Sequence, residues 1–256
     1  MRFVEFEEAR AARGLRVVIA TNVPSPWSQA ALGLFDMKGF DYLAVRFKRG
    51  DAEMKRWAET RNAPSVLFDD EPPRTGWAEV VMLAERLGGA ISLVPDDDER
   101  RTRMFGLSHE ILGEDGLAWS LRLLLVDRSF ATDGREGWPK PVAEYLAPRY
   151  GYAPDRVAAA RARAIGVLRL LDRTLADSRG RDHRYLLGPA PTALDVHAAV
   201  TLGVVDPLPE ADCPMPAPVR HAFETLDREV KEAVSPALRE HRTLMFERHL
   251  VLPVRH

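Results

Sequence analysis

The sequence of 256 residues has one cysteine, Cys213, and almost no net charge. A single cysteine excludes an internal disulfide, a CxxC redox pair and a zinc site built from several thiolates. The formal net charge of −2 at pH 7 gives no overall basic field to attract nucleic acid or acidic lipid. The longest apolar run, around 198–205, is too short to span a bilayer, and the first residues lack the apolar core of a secretion signal. We therefore expect a cytoplasmic protein with neither a nucleic-acid nor a membrane partner.

Several catalytic motifs are also missing. The sequence has no phosphate-binding loop, no GxGxxG, no HExxH and no nucleophile elbow. Its seven histidines show no metal-ligand spacing, so we expect no metal site.

The pattern of apolar residues predicts a compact α/β unit at 15–89, after a polar lead-in at 1–14 with one or two helical turns. Short apolar or alternating runs predict strands, and apolar residues at helical spacing between them predict helices. The predicted strands cover 15–20, 42–48 and 65–68, and the predicted helices cover 26–39, 51–61 and 77–87.

The composition changes after a boundary near 89–95. From Asp96 onward only helical periodicities occur, separated by loops rich in Gly and Pro, of which the clearest runs from Thr132 to Pro141. The predicted helices cover 99–112, 117–130, 155–175, 193–205, 218–234 and 235–250. We therefore expect a second, all-α domain at 96–256, with the almost wholly apolar helix 193–205 buried at its centre.

Ser25-Pro26 follows the first predicted strand after four residues and opens the first long helix. Serine at the N-cap followed by proline is a common helix opening. The free N–H groups and the dipole of a helix start also favour a bound anion. The residues alone leave both interpretations open: Ser25 caps its helix, or it contributes to an anion site.

Two further local signals are more specific. Thr192 and Asp195 lie three residues apart at the start of the buried helix, the spacing of a capping box. Pro64 directly precedes a predicted strand that should be central in the sheet. Proline is tolerated there only at the first residue of the strand, and a cis bond before it would turn the chain sharply.

Taken together, the α/β unit, the Ala63-Pro64 step, the helical half and the segment 185–196 (YLLGPAPTALDV) resemble a cytosolic glutathione transferase. The resemblance implies a thioredoxin-like N-terminal domain followed by an all-α helical-bundle domain. It implies glutathione as co-substrate, a small hydrophobic electrophile as second substrate, and a homodimer. In this resemblance Ser25 stabilises the glutathione thiolate, and Trp27 follows it as the aromatic of the motif and belongs to the glutathione-binding residues. A cis Pro64 presents the backbone of Ala63 to glutathione.

The sequence departs from the family where a Glu-Ser pair usually holds the γ-glutamyl group. Depending on the alignment, those positions fall on Thr75 and Gly76 or on Glu79 and Val80. We take Thr75, Trp77 and Glu79 as candidates for this wall. The alternative is that Trp77 is a core residue and Glu79 caps its own helix.

Two functions follow from these observations. The first is a glutathione transferase of the serine type, which adds glutathione to a small electrophile or removes it. The second is a non-catalytic module that uses the same scaffold for ligand or protein binding, with weak affinity for glutathione.

Overall fold

The computed structural model describes residues 1–60 and 62–256, and within them a mixed sheet is followed by a helical half. The first part contains β1 (Arg2–Phe3), α1 (Phe6–Ala11), β2 (Leu15–Ile19), α2 (Pro26–Met37), β3 (Leu43–Arg46), α3 (Ala52–Trp57), β4 (Ser65–Phe68) and α4 (Trp77–Arg86). The helix predicted at 51–61 thus ends at Trp57, and Arg61 lies outside the described residues.

The sheet has the strand order β1-β3-β2-β4. Strands β1 and β2 are parallel to β3, with Val17 beside Ala44, while β4 is antiparallel to β2, with Val17 also beside Val66. The segment 1–14, expected as a lead-in, supplies both the edge strand β1 and helix α1. A strand of two residues shows no period in the sequence, so only its pairing with β3 reveals it.

Helices α5 to α12 form the second half. They cover Asp98–Leu112, Leu117–Ala131, Lys140–Leu146, Val157–Arg179, Ala193–Val205, Ala217–Glu224, Arg228–Glu232 and Pro236–Arg248. No strand follows β4 in the described residues, as predicted, and no helix among them is both long and apolar enough to cross a membrane.

Two predicted boundaries in this half are wrong. The expected loop 132–141 ends earlier, because α7 starts at Lys140 and carries Pro141 in its first turn, where a helix needs no amide donor. The single helix expected at 218–234 is broken, because the Asp227 side chain accepts from the Glu229 and Val230 amides and starts α11. The central helix α9 has the predicted bounds, Ala193–Val205.

The two halves pack closely through α2 and α9. At Gly33 an added Cβ would lie 2.8 Å from Leu250 Cδ2 and 2.9 Å from Val196 Cγ1, closer than carbon atoms approach in proteins. Gly33 therefore lets α2 approach α9 directly.

The start of α9 is built around a buried carboxylate. Asp195 is 0% exposed and accepts hydrogen bonds from the Thr192 amide at 2.8 Å and the Thr192 hydroxyl at 2.9 Å. Its other oxygen accepts from the Leu186 amide at 2.8 Å and lies 3.3 Å from His241 Nε2. The predicted capping-box bond from the Thr192 amide back to Asp195 is confirmed, and the threonine hydroxyl donates a second hydrogen bond to the same carboxylate. The Ala63–Pro64 bond is cis, also as predicted.

Candidate functional site

A cavity of about 350 Å³ lies between the sheet half and the helical half. One wall carries Ser25 and Ala63, and the opposite wall carries Arg122, Trp138 and Tyr150. Ser25 and Ala63, two of the residues selected from the sequence, are therefore brought together by the fold.

Ser25 occupies the N-cap of α2, with Pro26 at the first helical position. Its backbone has the extended conformation of an N-cap (φ −66°, ψ 129°), yet within the described part of the chain its side chain makes no capping hydrogen bond. The neighbouring hydroxyl of Ser28 is occupied, since it accepts from the Ala20 amide at 3.1 Å. Ser25 thus lies at a helix start and on the cavity wall, and α2 does not use the hydrogen-bonding capacity of its hydroxyl.

Trp27 joins the two halves behind this wall. Its indole Nε1 donates to the Leu112 carbonyl at 2.8 Å, and its ring centroid lies 6.1 Å from that of Tyr150. Trp27 and Pro64 line a gap of about 10 Å³, barely the volume that one water requires.

The candidates for the γ-glutamyl wall lie apart from the main cavity. Thr75 and Trp77 line the same small gap as Trp27, and the Trp77 ring packs against His197 at a centroid distance of 5.8 Å. Glu79 Oε2 accepts from the Gly76 amide at 3.1 Å, at the start of its own helix. The described contacts of Trp77 and Glu79 are thus packing and helix-capping contacts.

The helical wall carries a charged residue, Arg122, that sequence reasoning could not distinguish from a packing residue. Arg122 lies within the apolar run of α6, is only 5% exposed, and lies over the rings of Trp27 and Trp138 at 5.7 and 5.1 Å. Burial lowers the pKa of its guanidinium, and the nearby Tyr150 hydroxyl offsets part of this effect. The available signal was one arginine in a largely apolar run, LAWSLRLLLV at 117–126.

Comparison with known proteins gives a result only at the level of structure. No protein-family model matches the chain, and no curated protein matches it in sequence. A glutathione S-transferase from Methylobacillus flagellatus, solved with GSH bound, matches with a TM-score of 0.60 and 14% identity, over 92% of this chain and 96% of that one. A glutathione S-transferase from Methylobacterium radiotolerans, in complex with glutathione sulfonate, matches with a TM-score of 0.59 and 18% identity, over 91% of both chains. The human glutathione S-transferase T1-1, in its apo form, matches with a TM-score of 0.54 and 16% identity, over 91% and 89%.

The chain has the glutathione S-transferase fold. The expected architecture, a thioredoxin-like α/β part followed by an all-helical part, is thereby confirmed. In this glutathione S-transferase fold, the cavity lies between Ala63 and the start of α2 on one side and helices α6 and α7 on the other.

Proposed function

We propose that the protein binds glutathione and transfers it to, or removes it from, a small electrophile held in the cavity, with Ser25 donating a hydrogen bond to the glutathione sulfur. The observation that carries this proposal is the Ser25 hydroxyl, which lies on the cavity wall and does not cap α2 within the described chain. The fold and the glutathione compounds bound in two of the solved neighbours support it.

The chemistry requires the thiolate form of glutathione. A free thiol has a pKa near ~8.5, so most of it is protonated and weakly nucleophilic at neutral pH. A hydrogen bond from Ser25 to the ionised sulfur contributes about 1.5–3 kcal/mol, and the start of α2 adds about 0.3–1 kcal/mol. At ~1.4 kcal/mol per unit, the two would lower the thiol pKa by roughly one to three units. The thiolate then forms a carbon–sulfur bond while the leaving group departs with its electron pair.

The remaining glutathione contacts follow from the same placement. Ala63 would offer its backbone to the cysteinyl part, and Trp27 would support the start of α2 from behind. Thr75, Trp77 and Glu79 remain our candidates for the γ-glutamyl wall. Because Glu79 already accepts from the Gly76 amide and Trp77 packs on His197, we infer that this wall binds weakly.

The second candidate function is non-catalytic binding of a ligand or protein. The contacts that Trp77 and Glu79 already make favour this second function, because they leave the γ-glutamyl group of glutathione without an evident partner among the described residues. Retention on immobilised glutathione together with conjugation of a generic electrophile supports the enzyme. Retention without conjugation supports the binding module.

The decisive experiment compares Ser25→Ala with wild type in the pH profile of conjugation. We expect the variant to lose rate at neutral pH and its apparent pKa to move toward that of the free thiol. Ser235→Ala is a matched control, because Ser235 also precedes a proline and its hydroxyl does cap α12, accepting from Leu238 N at 3.1 Å. The control should lose about 0.5–2 kcal/mol of stability and keep its rate. If Ser25→Ala keeps both rate and apparent pKa, Ser25 is not the catalytic hydroxyl.

We also propose a cytoplasmic homodimer, in which residues 15–89 and 96–256 act as the two domains of each subunit. Sedimentation equilibrium in dilute solution tests the oligomeric state, since a dimer has twice the chain mass of 28.7 kDa. Limited proteolysis between 89 and 96 tests the division into domains.

A further inference from the structure

Arg122 is a buried cation without a counter-ion among the described residues. Its side chain makes no ion pair with a described carboxylate, and its Nη1 atom has no hydrogen-bond partner there. Buried charges in proteins are ordinarily paired or fully hydrogen-bonded, because desolvation without compensation is costly. Two indole faces, those of Trp27 and Trp138, and a hydrogen bond with the Tyr150 hydroxyl provide part of the compensation, but neither a ring face nor a neutral hydroxyl carries the negative charge of a carboxylate.

A second unused donor lies on the same wall. The indole Nε1 of Trp138 is buried and also lacks a hydrogen-bond partner in the described structure. Trp138 lines the cavity next to Arg122, and its ring lies 5.1 Å from the guanidinium carbon. One guanidinium nitrogen and one neutral indole N–H, neither with a hydrogen-bond partner in the described structure, thus belong to side chains that line one cavity, which favours a ligand that supplies acceptors and negative charge.

The rest of the cavity fits an anion with an apolar body. Of the described residues that line it, none is acidic, and Arg49 adds a second cation, stacked over the Tyr145 ring at 4.1 Å. Apolar and aromatic side chains make up much of the helical wall, including Val142, Leu146, Tyr150 and Val219. A planar guanidinium beside flat rings matches a carboxylate attached to an aromatic or unsaturated group.

We propose that the electrophile of this protein carries a carboxylate, which Arg122 binds on the helical wall while the apolar part of the molecule contacts the surrounding rings. This inference rests on the proposed function for the reaction itself, but the anion site can be tested without it. It narrows the expectation of a small hydrophobic electrophile to an aromatic or unsaturated carboxylic acid. Arg122 is then a specificity-determining residue, which positions the electrophile opposite the sulfur held at Ser25.

A matched pair of probes separates charge from shape. The acid 3,5-dinitrobenzoate and its methyl ester share the ring and lack a leaving group, so their binding can be titrated by quenching of tryptophan fluorescence without glutathione. We expect the wild type to bind the acid at least about tenfold more tightly than the ester, which corresponds to about 1.4 kcal/mol. Arg122→Met should remove this preference, and Arg122→Lys should restore part of it.

The reactive pair is 4-chloro-3,5-dinitrobenzoate and its methyl ester. In each, the glutathione thiolate forms a carbon–sulfur bond at the chlorinated ring carbon, and chloride leaves with the bonding electrons. We expect Arg122→Met to raise KM for the acid about tenfold or more and to change KM for the ester little. Arg128→Met is the control, because Arg128 lies on the same helix, is half exposed and pairs with Glu136 outside the cavity. It should leave the ratio of acid to ester unchanged.

Each outcome decides between the interpretations. An equal affinity for acid and ester in the wild type overturns the inference, and conjugation of the ester would then still support the proposed function. Acid preference that is abolished by Arg122→Met supports the anion site, even if no glutathione conjugation is found and the proposed function fails. A loss of glutathione affinity in Arg122→Met with no change in the acid preference overturns the inference and assigns the arginine to glutathione. Circular dichroism shows whether Arg122→Met folds. If it does not, the decision rests on Arg122→Lys and on the wild-type preference for the acid over the ester.

Discussion

Replacing Asp195 by alanine should destabilise the protein far more than the loss of an ordinary helix cap. The carboxylate is completely buried and accepts from the Leu186 amide, the Thr192 amide and the Thr192 hydroxyl, at 2.8, 2.8 and 2.9 Å. Removing it leaves these donors buried and unpaired, in addition to the His241 ring 3.3 Å away. Breaking a buried charged network of this kind typically costs about 3–5 kcal/mol.

The assay is urea unfolding followed by circular dichroism, with the melting temperature as a second measure. For a chain of this size, each kcal/mol shifts the melting temperature by about 2–4 °C, so Asp195→Ala should lower it by about 6–20 °C. Asp97→Ala is the matched control, because Asp97 is an exposed N-cap that accepts from Arg100 N at 2.8 Å and should cost only about 0.5–2 kcal/mol. A loss in Asp195→Ala no greater than in Asp97→Ala would refute the network as the source of stability.

Three further predictions follow from other sites. Glutathione should bind in the millimolar range, about 4 kcal/mol weaker than micromolar binding, and low-micromolar affinity by calorimetry would contradict the weak γ-glutamyl wall. Burial lowers the pKa of His197 to about 3, so between pH ~6.5 and about 3 the unfolded chain binds a proton at this ring and the folded chain does not. The free energy of unfolding should therefore fall by up to about 1.4 kcal/mol per pH unit as the pH drops across this range. In urea titrations over the same pH range, His197→Gln should show a shallower fall. Burial raises the pKa of the Cys213 thiol to about 11, so Ellman's reagent should label the native protein slowly and the urea-unfolded protein fast, and rapid native labelling would show that the thiol is accessible.

The parts predicted well from the sequence are those set by local chemistry. Helix α9 has its predicted bounds because an apolar run and a Thr–Asp pair define both its burial and its start. The two strands at Leu15–Ile19 and Ser65–Phe68 are short apolar runs bounded by turns, which periodicity detects.

The parts that failed depend on contacts between distant segments or on a single side chain. Strand β1 exists only through its pairing with β3, and the break between α10 and α11 depends on one aspartate side chain. In the site, Ser25 could be named from its position before Pro26, but whether its hydroxyl caps the helix could not. Arg122 could not be chosen, because only the packing of Trp27 and Trp138 around it shows that its charge is buried.

The close approach of α2 and α9 at Gly33 limits how this fold can be recombined. Because a Cβ at this position would collide with Val196 and Leu250, the two halves are fitted to each other at one point of near-contact. A chimera that joins this sheet half to the helical half of another protein keeps the close α2–α9 contact only if the new helical half leaves the same space beside Gly33. Homologous exchange should therefore preserve the close packing of α2 on α9 best when residues 33, 196 and 250 are transferred as a set.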